Sequence, residues 1–118
     1  MNSDQKTNQL AIDIAQFLEE NRALDLSVID VSETAGWTDC FVIATVTSLA
    51  HLKALARQLW SFLAEKDVEV FNRHKDVSKE GWQLIDCGSI IIHLMSSELR
   101  EFYNLEKLWH EGKRLLGR

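Results

Sequence analysis

The stretch WQLIDCGSIIIHLM, residues 82–95, holds the two side chains best suited to catalysis, Asp86 and His93. A carboxylate can orient an imidazole so that the imidazole serves as a general base. Group transfer by such a pair also needs a nucleophile, and no serine or cysteine is clearly placed beside it. Cys40 and Cys87 are the only cysteines; each lies in or beside an apolar run, and no Cys-x-x-Cys occurs. That pattern gives no support to a zinc ribbon or a dithiol redox site. It favours free, buried thiols that pack as small hydrophobes. A second group lies in REFYNLEKLW, residues 100–109, with Arg100, Tyr103, Glu106 and Trp109. Tyrosine, tryptophan and arginine are enriched where proteins bind one another. The chemistry on offer there is recognition, with Trp82 as a further anchor.

A hairpin and a closing helix must position these groups. Trp82–Cys87 and Ser89–Met95 read as strands joined at Cys87-Gly88 or at Gly88-Ser89. The first turn sets Trp82 opposite His93; the second sets Leu84 opposite His93 and Trp82 opposite Met95. In either register Trp82, Leu84, Asp86, Ile91, His93 and Met95 share one face, and Gln83, Ile85, Ile90, Ile92 and Leu94 the other. The second face is the better core. The first is either covered, with Asp86 and His93 satisfied by local hydrogen bonds, or partly open as a recognition surface around Trp82. From about Ser97 a final helix puts Leu99, Phe102, Leu105 and Trp109 on one stripe. Glu106 falls inside that stripe and needs a partner or water; Arg100, Lys107 and His93 are the candidates. Phe102, Leu105 and Leu108 are expected to anchor this helix, leaving Tyr103, Glu106 and Arg100 at the edge beside Trp82.

Upstream, residues 4–22 carry Leu10, Ile14, Phe17 and Leu18 at helical spacing, with Ser3 as a possible cap. Leu24–Val31 reads as a strand, and Asp39–Val46 as a stronger one, apolar on both faces as a central strand would be. Ser48 caps a helix whose Leu52, Leu55, Ala56, Leu59 and Leu63 recur on one side. Val68–Phe71 reads as a short strand and residues 72–81 as a polar loop. The expected order is α-β-β-α-β-β-β-α, an α/β domain on a mixed five-stranded sheet, with a crossover helix joining two parallel strands.

The 118 residues fit one domain, 1–118, with 1–6 and 111–118 expected to fray. With 46% hydrophobic and 26% charged residues the balance is that of a globular protein. Apolar runs are too short to span a bilayer, and the polar N-terminus carries no apolar signal core, so a cytoplasmic protein is expected. A net charge of −5 suits a basic protein partner better than bare phosphate backbone.

TDCFVIATVTS (38–48), GWQLIDCGSIIIHLM (81–95) and REFYNLEKLW together resemble the ribosomal silencing factor family, also called RsfS or Iojap, over roughly residues 7–110. The matching positions are Trp82, Asp86, Gly88 and His93, then Arg100, Phe102, Tyr103, Leu105, Glu106, Leu108 and Trp109. The resemblance implies a fold similar to nucleotidyltransferases. It implies a partner as well, the large ribosomal subunit through its protein uL14, and a steric block to subunit joining when nutrients are scarce. A homodimer using the same surface is a further implication, and so is little direct contact with nucleic acid. Where a nucleotidyltransferase would carry Asp-x-Asp, Ile-Ile-Ile-His follows Gly88-Ser89. That argues against metal-held phosphoryl or nucleotidyl transfer, so no catalytic residue, metal or cofactor is expected. The binding residues expected are Trp82, Asp86, His93, Arg100, Tyr103, Glu106 and Trp109.

Overall fold

A computed structural model describes residues 3–71, 81–109 and 111–116. Helix α1 (Ser3–Glu20) leads into β1 (Leu24–Asp30) and β2 (Cys40–Val46), followed by α2 (Leu49–Glu65). The hairpin β3 (Trp82–Asp86) and β4 (Ile90–Ser96) comes next, then α3 (Ser97–Tyr103), α4 (Leu105–Leu108) and β5 (Lys113–Leu116). The five strands form one mixed sheet in the order β3-β4-β2-β1-β5. Only β2 and β4 run parallel; the other pairs are antiparallel. The chain between that parallel pair holds both α2 and β3, so the crossover helix enters an antiparallel edge strand first.

Strand β2 is buried along its whole length. Cys40, Val42, Ala44 and Val46 face α1 and α2, joined by Ile85, Ile90, Ile92 and Leu94 from the hairpin. Phe41 and Ile43 face the other way, into a smaller cluster with Ile29, Ile91 and Met95. The α2 stripe Leu52, Leu55, Ala56, Leu59 and Leu63 is buried as its spacing requires, and the Ser48 hydroxyl accepts from the His51 N–H to cap the helix.

The element order departs from expectation at both ends of the second half. Val68–Phe71 is not a strand. Asp67 takes a left-handed φ of 58°, and the Val68 N–H is used to close α2 on the Leu63 carbonyl at 2.9 Å, a Schellman ending. Val68 and Val70 instead pack on the main core. The fifth strand is β5, which lies in the stretch expected to fray and pairs with β1. Likewise α1 already starts at Ser3. The Ser3 side chain and the polar loop 72–80 lie outside the described residues.

Entry into β5 passes under β1 at Gly112. A Cβ there would sit 2.6 Å from Ile29 Cγ2 and 2.9 Å from the Asp30 carbonyl oxygen. The obstacle includes backbone, which cannot swing away. Gly112→Ala should therefore cost about 1–3 kcal/mol, as other overpacked sites do. Urea unfolding measures it, and an unchanged midpoint would show that the β5 turn moves freely off the sheet.

Candidate functional site

The hairpin takes the second of the two possible registers. Leu84 lies opposite His93 and Trp82 opposite Met95, around a Gly88-Ser89 loop in which Gly88 has φ 79°. The Asp86 carboxylate accepts the Gly88 N–H at 2.8 Å and so braces this turn. On the sheet, the Trp82 indole N–H donates to His93 Nδ1 at 3.2 Å. His93 is almost wholly buried, and burial lowers its pKa to about 4. The imidazole is thus neutral near pH 7, and the Nδ1 lone pair a base would use is engaged by an indole. The geometry assigns His93 to packing and to holding Trp82.

α3 and α4 partly cover this Trp82–His93 face of the sheet. They are not one helix. Asn104 adopts φ 46°, a left-handed position that asparagine tolerates, and ends α3 while its side chain caps α4. The break rotates α4 relative to α3, so the expected stripe is only half realised. Leu99, Leu105 and Trp109 pack on the cluster. Phe102 (79% exposed) and Leu108 (68%) point to solvent and are not the anchors that a continuous helix implies.

Arg100 spans the break. Its Nη2 meets Glu106 Oε2 at 2.7 Å and its Nε meets Oε1 at 3.3 Å. The same guanidinium donates to Ser27 Oγ at 3.1 Å and Thr45 Oγ1 at 3.0 Å, and to the Asp25 carbonyl. That carbonyl is offered by an irregularity in β1, where the register to β2 shifts between Leu24 and Ser27 and Asp25 has φ 50°. The Arg100 side chain keeps only 11% of its exposure. Of the three candidate partners for Glu106, the structure selects Arg100. Burial raises the Glu106 carboxyl, but the Arg100 hydrogen bond and charge, with Ser27 and Arg114, more than offset this and hold it below its ordinary 4.5.

Ring contacts run unbroken across the site. Phe102 meets Tyr103 edge-on at 5.0 Å, Tyr103 lies 4.9 Å from Trp82, and Trp82 lies 5.8 Å from His93. His93 meets Phe41 at 5.4 Å, Phe41 meets Trp109 at 5.2 Å, and Trp109 meets Trp37 at 6.3 Å. Tyr103 is half exposed and Trp37 is 61% exposed. The structure therefore brings together Trp82, His93, Tyr103 and Trp109. Asp86 serves the hairpin turn, and Arg100 with Glu106 forms a clasp beside the row. Trp37 is not among the binding residues expected from the sequence; a tryptophan beside Gly36 between two strands is the one signal that marks it.

Two ionisations tie this site to acid. Glu106, with its pKa depressed, stabilises the fold above its ordinary 4.5 and loses that contribution as pH falls through the lower folded value. His93 resists protonation in the folded state, so stability falls as pH drops from 6.5 toward about 4. The His93 part amounts to about 3 kcal/mol at most. His93→Gln should flatten the fall, read from urea midpoints at about pH 7, 5.5 and 4; an equal fall in the variant would place the acid sensitivity elsewhere. At neutral pH, Arg100→Ala should cost about 2–3 kcal/mol by stranding a part-buried carboxylate, and an unchanged urea midpoint would show the clasp to be idle.

Residues 4–116 match the family model described as "Ribosomal silencing factor during starvation". The chain is 38% identical over 106 residues to the ribosomal silencing factor RsfS of Treponema pallidum, covering 88% of this chain and 93% of that protein. It is also 38% identical over 100 residues to a Mus musculus protein named "Mitochondrial assembly of ribosomal large subunit protein 1", covering 81% of this chain but only 43% of the mouse protein. A Chromobacterium violaceum crystal structure superposes with a TM-score of 0.77 at 28% identity, covering 92% of this chain and 88% of that one. A Bacillus halodurans structure gives 0.72 at 26% identity, covering 95% and 98%. The match runs from the first turn of α1 to the end of β5, and the chain belongs to the ribosomal silencing factor family.

Proposed function

We propose that this protein silences ribosomes by occupying a surface on the large subunit. Its partner there is ribosomal protein uL14, on the face that meets the small subunit, and bound protein blocks subunit joining by bulk. Translation falls when nutrients are limiting. The work takes place in the cytoplasm; among the described residues no helix is long and apolar enough to cross a membrane.

The observation that carries this reading is the half-exposed Tyr103 seated on Trp82 at the edge of the Trp82–His93 sheet face. Amphipathic rings held rigid by a packed row lose little entropy on binding. Relatives' names, which speak of ribosomal silencing and of large-subunit assembly, supply the class of partner. The net charge of −5 suits a basic ribosomal protein. Trp82, Tyr103 and Trp109 are the contact residues in this proposal. Asp86, His93, Arg100 and Glu106 act by holding those rings in place. The function asks for no catalytic group, metal or cofactor.

Co-sedimentation with isolated large and small ribosomal subunits tests the proposal. Pelleting with the large subunit alone is expected, weaker at high salt because exposed charges are screened. Tyr103→Ala should weaken it by about tenfold or more while circular dichroism stays unchanged. Pelleting with neither subunit, from folded protein, would overturn the assignment. A concentration-dependent dimer that survives in place of ribosome binding would give the face to a second copy of the chain.

A further inference from the structure

The aromatic row is exposed at both ends and buried in the middle. Phe102, on α3, is 79% exposed; Trp37, in the β1–β2 loop, is 61% exposed. Single exposed apolar side chains are ordinary on any protein surface. These two differ because each is continuous, ring to ring, with the packed row between them. Neither is needed to close the core, since Trp109 and Leu105 already cover that cluster. Each end is also supported from behind: Phe102 by Tyr103, and Trp37 by Phe41 and Trp109. Side chains backed in this way are already ordered, which is what binding hot spots require.

Charge identifies the occupant. The sole base of α3, Arg100, is turned inward onto Glu106, so the exposed charges of α3 are the carboxylates Glu98 and Glu101. Glu98 stands one helical turn before Phe102 and Glu101 is its neighbour, so an acidic rim surrounds an apolar anchor. At the other end Glu33 is exposed close to Trp37 in sequence. Lys107 and Lys113 are the exposed bases of the same C-terminal segment and lie beyond the Asn104 break.

We infer that Trp37 and Phe102 are paired anchors of one docking surface, with Glu98 and Glu101 as its acidic rim, and that the occupant is a folded basic protein surface broad enough to reach both ends. This rests on the ribosome-binding reading and specifies which part of the chain carries it. A short peptide would engage one anchor; a folded surface engages both.

The experiment uses the full chain and isolated large ribosomal subunits. Trp37→Ala and Phe102→Ala should each weaken pelleting by about tenfold or more. The double variant should abolish it, and Trp37→Phe with Phe102→Leu should restore most of it. Glu98→Gln with Glu101→Gln should reduce the dependence on salt. Circular dichroism and the thermal midpoint should not move, because all four side chains are exposed. Wild-type pelleting with unchanged variants would overturn this inference alone. Loss in one single variant only would overturn the pairing. Loss of self-association in the variants with ribosome binding intact would overturn the basic occupant in favour of a second copy. Failure of the folded wild type to pellet would overturn both this inference and the functional reading beneath it.

Discussion

β2 must be covered on both faces, and that constraint shapes much of the remaining structure. Every residue from Cys40 to Val46 is buried, with apolar side chains pointing alternately to the two sides. α1 and α2, at 18 and 17 residues, are long enough to roof the face that carries Ile85 and Ile92. The face that carries Trp82 and His93 is left to α3 and α4, at seven and four residues. Helices so short have no independent stability and cannot shade a five-stranded sheet. The remaining cover comes from large rings laid edge to edge. A row of rings closes the middle, where Phe41 and His93 are buried, and runs out into solvent at its ends. The exposed aromatic surface is thus a geometric result of roofing a two-sided core with very little helix.

Arg100 makes that thin roof definite. Its charge and that of Glu106 are drawn from water at a desolvation cost that can equal the attraction between them. The pair is therefore weak grounds for stability by itself. What distinguishes it is completeness: both carboxylate oxygens, two hydroxyls and a strand carbonyl are engaged by one planar group. Lysine could not reproduce that fork. The clasp fixes the angle between α3 and α4 at Asn104 and ties both to β1 and β2. Tyr103 and Trp109, on opposite sides of the break, are thereby held in one arrangement, at either end of the buried middle.

Much of this is legible in the sequence where side-chain period and local chemistry agree. The double-sided apolar run of β2, the α2 stripe with its Ser48 cap, and the sidedness of the hairpin are all local properties and read out directly. The hairpin register is open on paper; it is settled by Gly88 taking the positive φ and by Asp86 bracing the turn. The features that escape a sequence reading depend on distant partners. β5 is four residues, KRLL, without alternation, and is a strand only because β1 offers it an edge. Val68–Phe71 has strand composition, yet its first N–H is taken by the end of α2. Phe102 and Leu108 look like anchors only on a continuous helix, and one left-handed asparagine reverses that. For the site the same division holds. The residue types point to recognition, but whether Arg100 and Glu106 face a partner or each other depends on Ser27 and Thr45, more than fifty positions away.

His93 and Asp86 are the side chains an enzyme would use, and the structure commits both to other tasks. General acid–base catalysis asks for a titratable group near neutral pKa, reachable by substrate and oriented by a partner. His93 has the burial of a core residue, a pKa pushed to about 4, and its acceptor nitrogen already bonded to Trp82. Asp86, which would orient it in a catalytic pair, lies opposite Ile91 and braces the hairpin loop. β4, the strand that presents His93, is otherwise apolar up to its terminal Ser96 and carries no carboxylate. His93 holds the Trp82 indole, and Asp86 fixes the turn in register. With the polar atoms of both groups satisfied internally, the rings are what this face offers at its exposed edges.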